Sequence, residues 1–249
     1  AACCGGAGAA ATINLNLPNP GNFDLPVNTI WRGVTVTAND TEKLYVPANT
    51  KAIIEDSTIN NLFVRYGTAW VRGTSALNTS VTVAETGRLV INGTVSSSVP
   101  DQGFDIQPGR VDILPGASLA VTATSNSGTP SAPVIVRGGG VLSISGSMSI
   151  TSNGATQLKS GINVVPGGTV NLNNATLSLN SGSSTIAGDG SADVTRKGAI
   201  VLGGEMFMVN SGLLFPGGTS SNVAGVTLVD GGRFFMHAGS YIGSSGTPA

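Results

Sequence analysis

The sequence has little charge. Asp, Glu, Lys and Arg make up 10% of its 249 residues, and 12 basic against 13 acidic side chains leave a formal net charge of −1. Ordinary soluble domains carry about 25%. No basic stripe is available to neutralise phosphates, which argues against nucleic acid as a partner. No basic amphipathic helix points to a membrane surface, and no run of 18 apolar residues is present for insertion into a bilayer. Cysteine is confined to Cys3 and Cys4. Adjacent cysteines strain the ring they would close, so they read as two terminal thiols or as a cross-link to a neighbouring subunit. Nothing staples the rest of the chain. Histidine occurs once, at His237, and aromatics make up 5%.

What is present is glycine, 36 residues of it, and 40% hydrophobic residues in a regular pattern. That patterning excludes disorder despite the low charge. The chain opens "AACCGGAGAA", small residues without an intact leader's basic start, as expected for a mature exported chain or a trimmed fragment. Three prolines interrupt residues 12–30, so residues 1–30 read as a flexible or extended segment ahead of a domain at 31–249. From Trp31 onward, short β-branched runs such as "GVTVTA", "LFVRYG" and "VLSISGSMSI" are bounded by Gly, Pro, Asn or Asp. These are strand signals. No stretch repeats at helical spacing.

The runs recur as a unit: "VVPGGTVNLNNATLSL" (164–179), "IVLGGEMFMVNSGLLF" (200–215) and "TLVDGGRFFMHAGSYI" (227–242). Taking Gly168, Gly204 and Gly232 as anchors, Val170, Met206 and Phe234 lie two residues on, and Leu172, Met208 and Met236 four on. Leu177, Leu213 and Tyr241 lie nine on, and Val165, Val201 and Val229 three back. Gly140 and Gly87 anchor looser copies, and "ILPGASLAV" (113–121) is a copy slipped by one residue. Even spacing keeps side chains on one face of a strand, and the odd gap that follows marks a corner. One unit cannot bury its apolar face alone, but stacked copies can. The pattern predicts an all-β, single-stranded, right-handed parallel β-helix of about nine coils, with few or no helices. The anchors Gly140, Gly168, Gly204 and Gly232 are expected at corners that need φ > 0. Stacked like charges would repel, whereas Asn, Ser and Thr can form ladders.

The units "GGTVNLNNATLSL", "GGEMFMVNSGLLF" and "GGRFFMHAGSYI" resemble the right-handed β-helix of exported bacterial surface proteins, the pertactin-like autotransporter passengers, over about residues 80–249. The resemblance implies surface display, adhesion and host contact. Neither "RGTS" (72–75) nor "RGVT" (32–35) is an Arg-Gly-Asp triplet. Phage tailspikes use similar solenoids, usually as trimers.

Three functions follow. The first is a non-enzymatic extracellular solenoid whose neutral surface serves binding or subunit assembly. The second is a virion tailspike or tail-fibre segment that binds surface glycans. The third is a glycan-cleaving solenoid enzyme, which needs paired carboxylates in a groove. Asp101, Asp105, Arg110 and Asp112 come nearest to that, followed by Asp189, Asp193, Arg196 and Lys197. Both groups read first as solvated loops, and the second is an incomplete calcium pattern. Glu55 and Asp56, adjacent on a strand, point to opposite faces. His237 reads as an outward structural residue. No catalytic residue, cofactor or metal ligand is assigned. The candidate contacts to a glycan or partner are Trp31, Trp70, Tyr66 and Phe235, since such rings stack on sugars. Trp31 and Trp70 alternatively cap one end of the core. Phe234 and Met236 belong to the core stack, and Phe235, of opposite parity, should point outward. A strand runs almost into "GSSGTPA", which leaves an edge for a partner and motivates a homo-oligomer, trimer or filament.

Overall fold

The computed structural model describes residues 11–15, 22–24, 29–38, 43–100, 102–124, 132–152, 160–180, 198–215 and 224–244. Cys3, Cys4, Asp101, Asp189, Asp193, Arg196 and Lys197 lie outside them. The described residues contain strands and no helix, and every strand pairing is parallel. The chain is an all-β solenoid.

Each coil lays down three strands in three columns. In the seventh coil these are Ile162–Val164, Thr169–Asn173 and Thr176–Asn180. Every strand hydrogen-bonds to its counterparts one coil below and one above. Nine coils follow one another, from Asn22–Asp24 to Tyr241–Ser244, and Ala11–Leu15 adds a strand to the third column. At ~4.8 Å per strand step the stack is roughly 40 Å long.

The ladder begins ahead of Trp31. Ala11–Leu15 pairs with Val34–Ala38, and Thr29–Arg32 with the strand starting at Lys51. Prolines do not prevent this, because the strands themselves contain none.

The core runs up the middle. One inward position of the second column reads Trp31, Ile54, Val71, Ile91, Ile113, Ile144, Leu172, Met208 and Met236 in continuous register. All but Met236 are buried. In the last described coil Leu228, Met236 and Ile242 are about half exposed although they hold inward positions.

The glycine anchors stand at the first corner, as expected, but for a different reason. Positive φ falls on the glycine before the anchor: Gly139 (79°), Gly167 (82°) and Gly231 (82°). Gly140, Gly168, Gly204 and Gly232 are glycine because the coil below leaves no room for a Cβ. A Cβ would come 2.5 Å from the carbonyl oxygens of Ile106 and Gln107 at Gly140, and 2.6 Å from that of Val136 at Gly168. At Gly204 it would strike the carbonyl of Gly168, and at Gly232 that of Leu202.

Three further alignments change. Val201 pairs with Asn163 and Thr227, not with the corner residues Val165 and Val229. Coil 8 turns this corner with Gly203–Gly204 alone, two residues fewer than its neighbours. Ile242, not Tyr241, continues the Leu177–Leu213 ladder, because the second corner of coil 9 is one residue longer. Tyr241 instead stands over Gly212, where a Cβ would meet its hydroxyl at 2.5 Å. The copy at 113–121 straddles the second corner and feeds the third column, pairing with Ser147–Ser152.

At the second corner, serines take over from apolar residues. Ser57 accepts the Val34 N–H at 3.2 Å, and Ser75 the Ser57 N–H at 3.2 Å. Higher up, Ser211 accepts the Ala175 N–H at 3.1 Å. Ser57, Ser75 and Ser211 are buried. Each hydroxyl satisfies a backbone donor that the bend removes from the ladder.

Candidate functional site

Alternation along a strand sends every second residue outward, and stacking gathers those residues into three faces with different chemistry. The third face is a hydroxyl array. Thr94, Ser96 and Ser98 stand in register with Ser118, Ala120 and Thr122, which stand in register with Ser147, Ser149 and Thr151, and then with Thr176 and Ser178. No charge interrupts it. Thr122 and Thr151 are linked hydroxyl to hydroxyl at 3.4 Å.

The second face carries most of the ion pairs. Glu55 accepts Arg32 Nε at 2.6 Å and Arg72 Nη2 at 3.1 Å. The Arg32 guanidinium, seconded by Arg72, holds the Glu55 carboxyl below the ordinary carboxylate range against the opposing effect of desolvation. Asp112 accepts Arg88 Nε and Arg110 Nε, each at 2.6 Å, and is itself buried. Farther along, Arg233 pairs with Glu205. On the first face Asp105 is held by Arg137 at 2.8 Å and by Gln107 at 3.1 Å. Asp105 and Asp112 are therefore both engaged by arginine.

The candidate aromatics part company. Trp31 is buried under Ile54 in the core and offers no ring to a ligand, which removes it as a contact residue. Its position in the strand has inward parity, and the first coil has an end to fill. Trp70 has the opposite parity and sits half-buried on the second face, with Lys51 Nζ 5.5 Å from its ring centre. Tyr66 is exposed at the first corner with the Arg65 guanidinium 4.9 Å from its ring. Phe235 points outward as expected and stacks on Phe207, with centroids 4.7 Å apart and planes 6° from parallel. Phe234 is inward but only partly buried. His237 is exposed. Asp56 adopts positive φ and turns its carboxylate to the Thr74 N–H at 2.9 Å, so it serves the corner and not an acid–base pair.

A groove of about 280 Å³ lies over the corners of coils 7 to 9, lined by their glycines with Glu205 and Arg233. The short corner of coil 8 makes it, by setting back the chain between two longer turns. Among the described residues no cluster of His, Cys, Asp and Glu has the form of a metal site. No described helix is long and apolar enough to cross a membrane.

Sequence reasoning missed the two arginine–carboxylate–arginine groups. Arg110 and Asp112 lie two residues apart and were singled out together, but the other partners lie 17 to 24 residues away, where no local motif marks them.

No protein-family model matches the chain, and no curated protein matches it. A solved structure described as "Crystal structure of TibC-catalyzed hyper-glycosylated TibA55-350 fragment" is 14% identical. The match spans 94% of this chain and 97% of that one, with a TM-score of 0.18. A score of that size carries no argument about fold or role.

Proposed function

We propose that this chain is an extracellular, cell-surface solenoid, of the kind pertactin-like passengers form, that acts by contact and not by catalysis. The observation that supports this reading is the hydroxyl face of coils 4 to 7. It is flat, uncharged, continuous over four strands and rigidly spaced. Such a surface offers donors and acceptors to sugars or to a second protein without the desolvation cost of burying charge.

Two measurements test this. Antibody applied to intact cells of the source organism should label the protein; label that appears only after lysis overturns surface display. Ser149→Glu sets a charge in the centre of the hydroxyl array and should abolish binding to target cells while the melting temperature holds. Undiminished binding would remove the array from the function.

A further inference from the structure

Charge that the composition spreads thinly is collected on one side of the rod. Register places Arg32, Lys51, Arg72, Arg88 and Arg110 on the outside of the second column, within coils 1 to 5. Glu55 and Asp112 share that face. Five cations against two carboxylates leave three positive charges, or two when Asp56 at the adjoining corner is counted. The whole chain is at −1, so this is a local excess.

The cations are also pre-arranged. Asp112 lies buried beneath Arg88 and Arg110, whose side chains are 48% and 52% exposed. Both guanidiniums are held through Nε. A guanidinium bound that way keeps its outer Nη–H donors for another acceptor in a fixed fork. Glu55 holds Arg32 through Nε as well, and Arg72 through Nη2. Trp70 stands between the two groups. It shares its strand with Arg72, pairs with Ile53 on one side and Val90 on the other, and has Lys51 at its ring.

From this arrangement we infer that the second face of coils 1 to 5 is a binding site for a polyanionic glycan. Its carboxylates or sulfates dock on the two arginine pairs and a sugar ring lies on Trp70. A planar fork suits such oxyanions better than a point charge does. The cations recur at multiples of the ~4.8 Å strand step, so they follow an extended chain laid along the rod. An indole flanked by aliphatic Ile53 and Val90 is an apolar platform for the C–H face of a sugar. Half-buried in the sheet surface, it offers no protruding aromatic surfaces for successive bases to stack on, as single-stranded nucleic acid would require.

This names a ligand class for the contact function proposed above and rests on that reading, but it uses a different face. Ser149→Glu should therefore leave polyanion binding intact, and the two proposals fail separately. The test is calorimetric titration of the full chain with dextran sulfate, polygalacturonate, neutral dextran and duplex DNA at about 0.1 M salt. Both polyanionic glycans should bind, dextran should not, and DNA should bind at least about tenfold more weakly. Arg88→Gln with Arg110→Gln, and separately Trp70→Ala, should each weaken glycan binding about tenfold. Arg88→Lys with Arg110→Lys should fail to restore it, and Arg233→Gln should change nothing. Thermal melting of each variant checks the fold. Absence of binding to both polyanions overturns the inference, as does DNA bound equally tightly, or a lysine pair as good as the arginines.

Discussion

Coils 1 to 5 and coils 6 to 9 share one architecture and differ in nearly everything attached to it. In the first group, paired second-column residues are as little as 17 residues apart, as between Ala52 and Ala69, and outward arginines are tied to carboxylates across coils. In the second group the interval reaches 36 residues, between Val170 and Met206, and Glu205–Arg233 is the ion pair described there. The first group is covered from above by further coils, whereas the last of the second is half exposed. The difference teaches that inward periodicity alone specifies the solenoid, and that outward positions are free to take on separate chemistry.

If that is right, substitutions of equal chemistry should have unequal effects along the rod. Leu89→Ala in coil 4 removes a fully buried side chain and should cost about 3 kcal/mol. Phe234→Ala, partly buried in coil 9, should cost about half as much despite the larger ring. Urea denaturation monitored by circular dichroism would show it, and equal losses would break the comparison. Next come the two glycines of one corner. Gly232→Ala should cost about 2–3 kcal/mol because the Leu202 carbonyl must move. Gly231→Ala, at φ 82° with open space around it, should cost about 1 kcal/mol. A reversed order in melting experiments would restore conformational freedom as the reason for the anchors.

The ion pairs should divide in the same way. Asp112→Ala leaves two guanidiniums facing each other over a buried gap and should cost about 1–2 kcal/mol, allowing for the exposure of both arginines. Glu205→Ala, at the more exposed pair, should cost under about 0.5 kcal/mol. The smallest effect is a pH dependence. Arg32 and Arg72 lower the Glu55 pKa in the folded state, so the stabilisation is present above the unfolded carboxylate pKa and is lost as pH falls through the lower folded value. Carboxyl chemical shifts should titrate below the ordinary range, and Arg32→Ala should move them back up.

The sequence pattern shows the inward ladders well, because Val170, Met206 and Phe234 pair as the repeat implies. The anchors also mark corners. It misleads where a corner changes length, since Val201 matches Val165 by distance from its glycine while sitting on a different strand position. Tyr241 misleads for the same reason. Arg110 and Asp112 share a strand two residues apart and are legible together, but the arginine partners from other coils are not, because adjacency across coils depends on how many residues each coil spends between columns, and that number varies from coil to coil. Parity did separate Phe235 from Phe234, whereas Trp31 has two readings in the sequence, a ligand contact and a cap on the core, and only the strand face that meets the core excludes the first.

Most of that variation in length falls between the third column of one coil and the first column of the next. The described strands of the third and first columns are separated by residues 124–133, 153–161, 181–197 and 216–223, whereas the first corner spans two to four residues throughout. Lengthening a connection at one edge displaces no ladder, and each doubling of its length costs only about 0.6 kcal/mol in closure entropy. That edge is therefore the natural seam for grafting: a foreign peptide spliced into it would be carried outward at a fixed height on the rod, with the coils on either side unaware of its sequence.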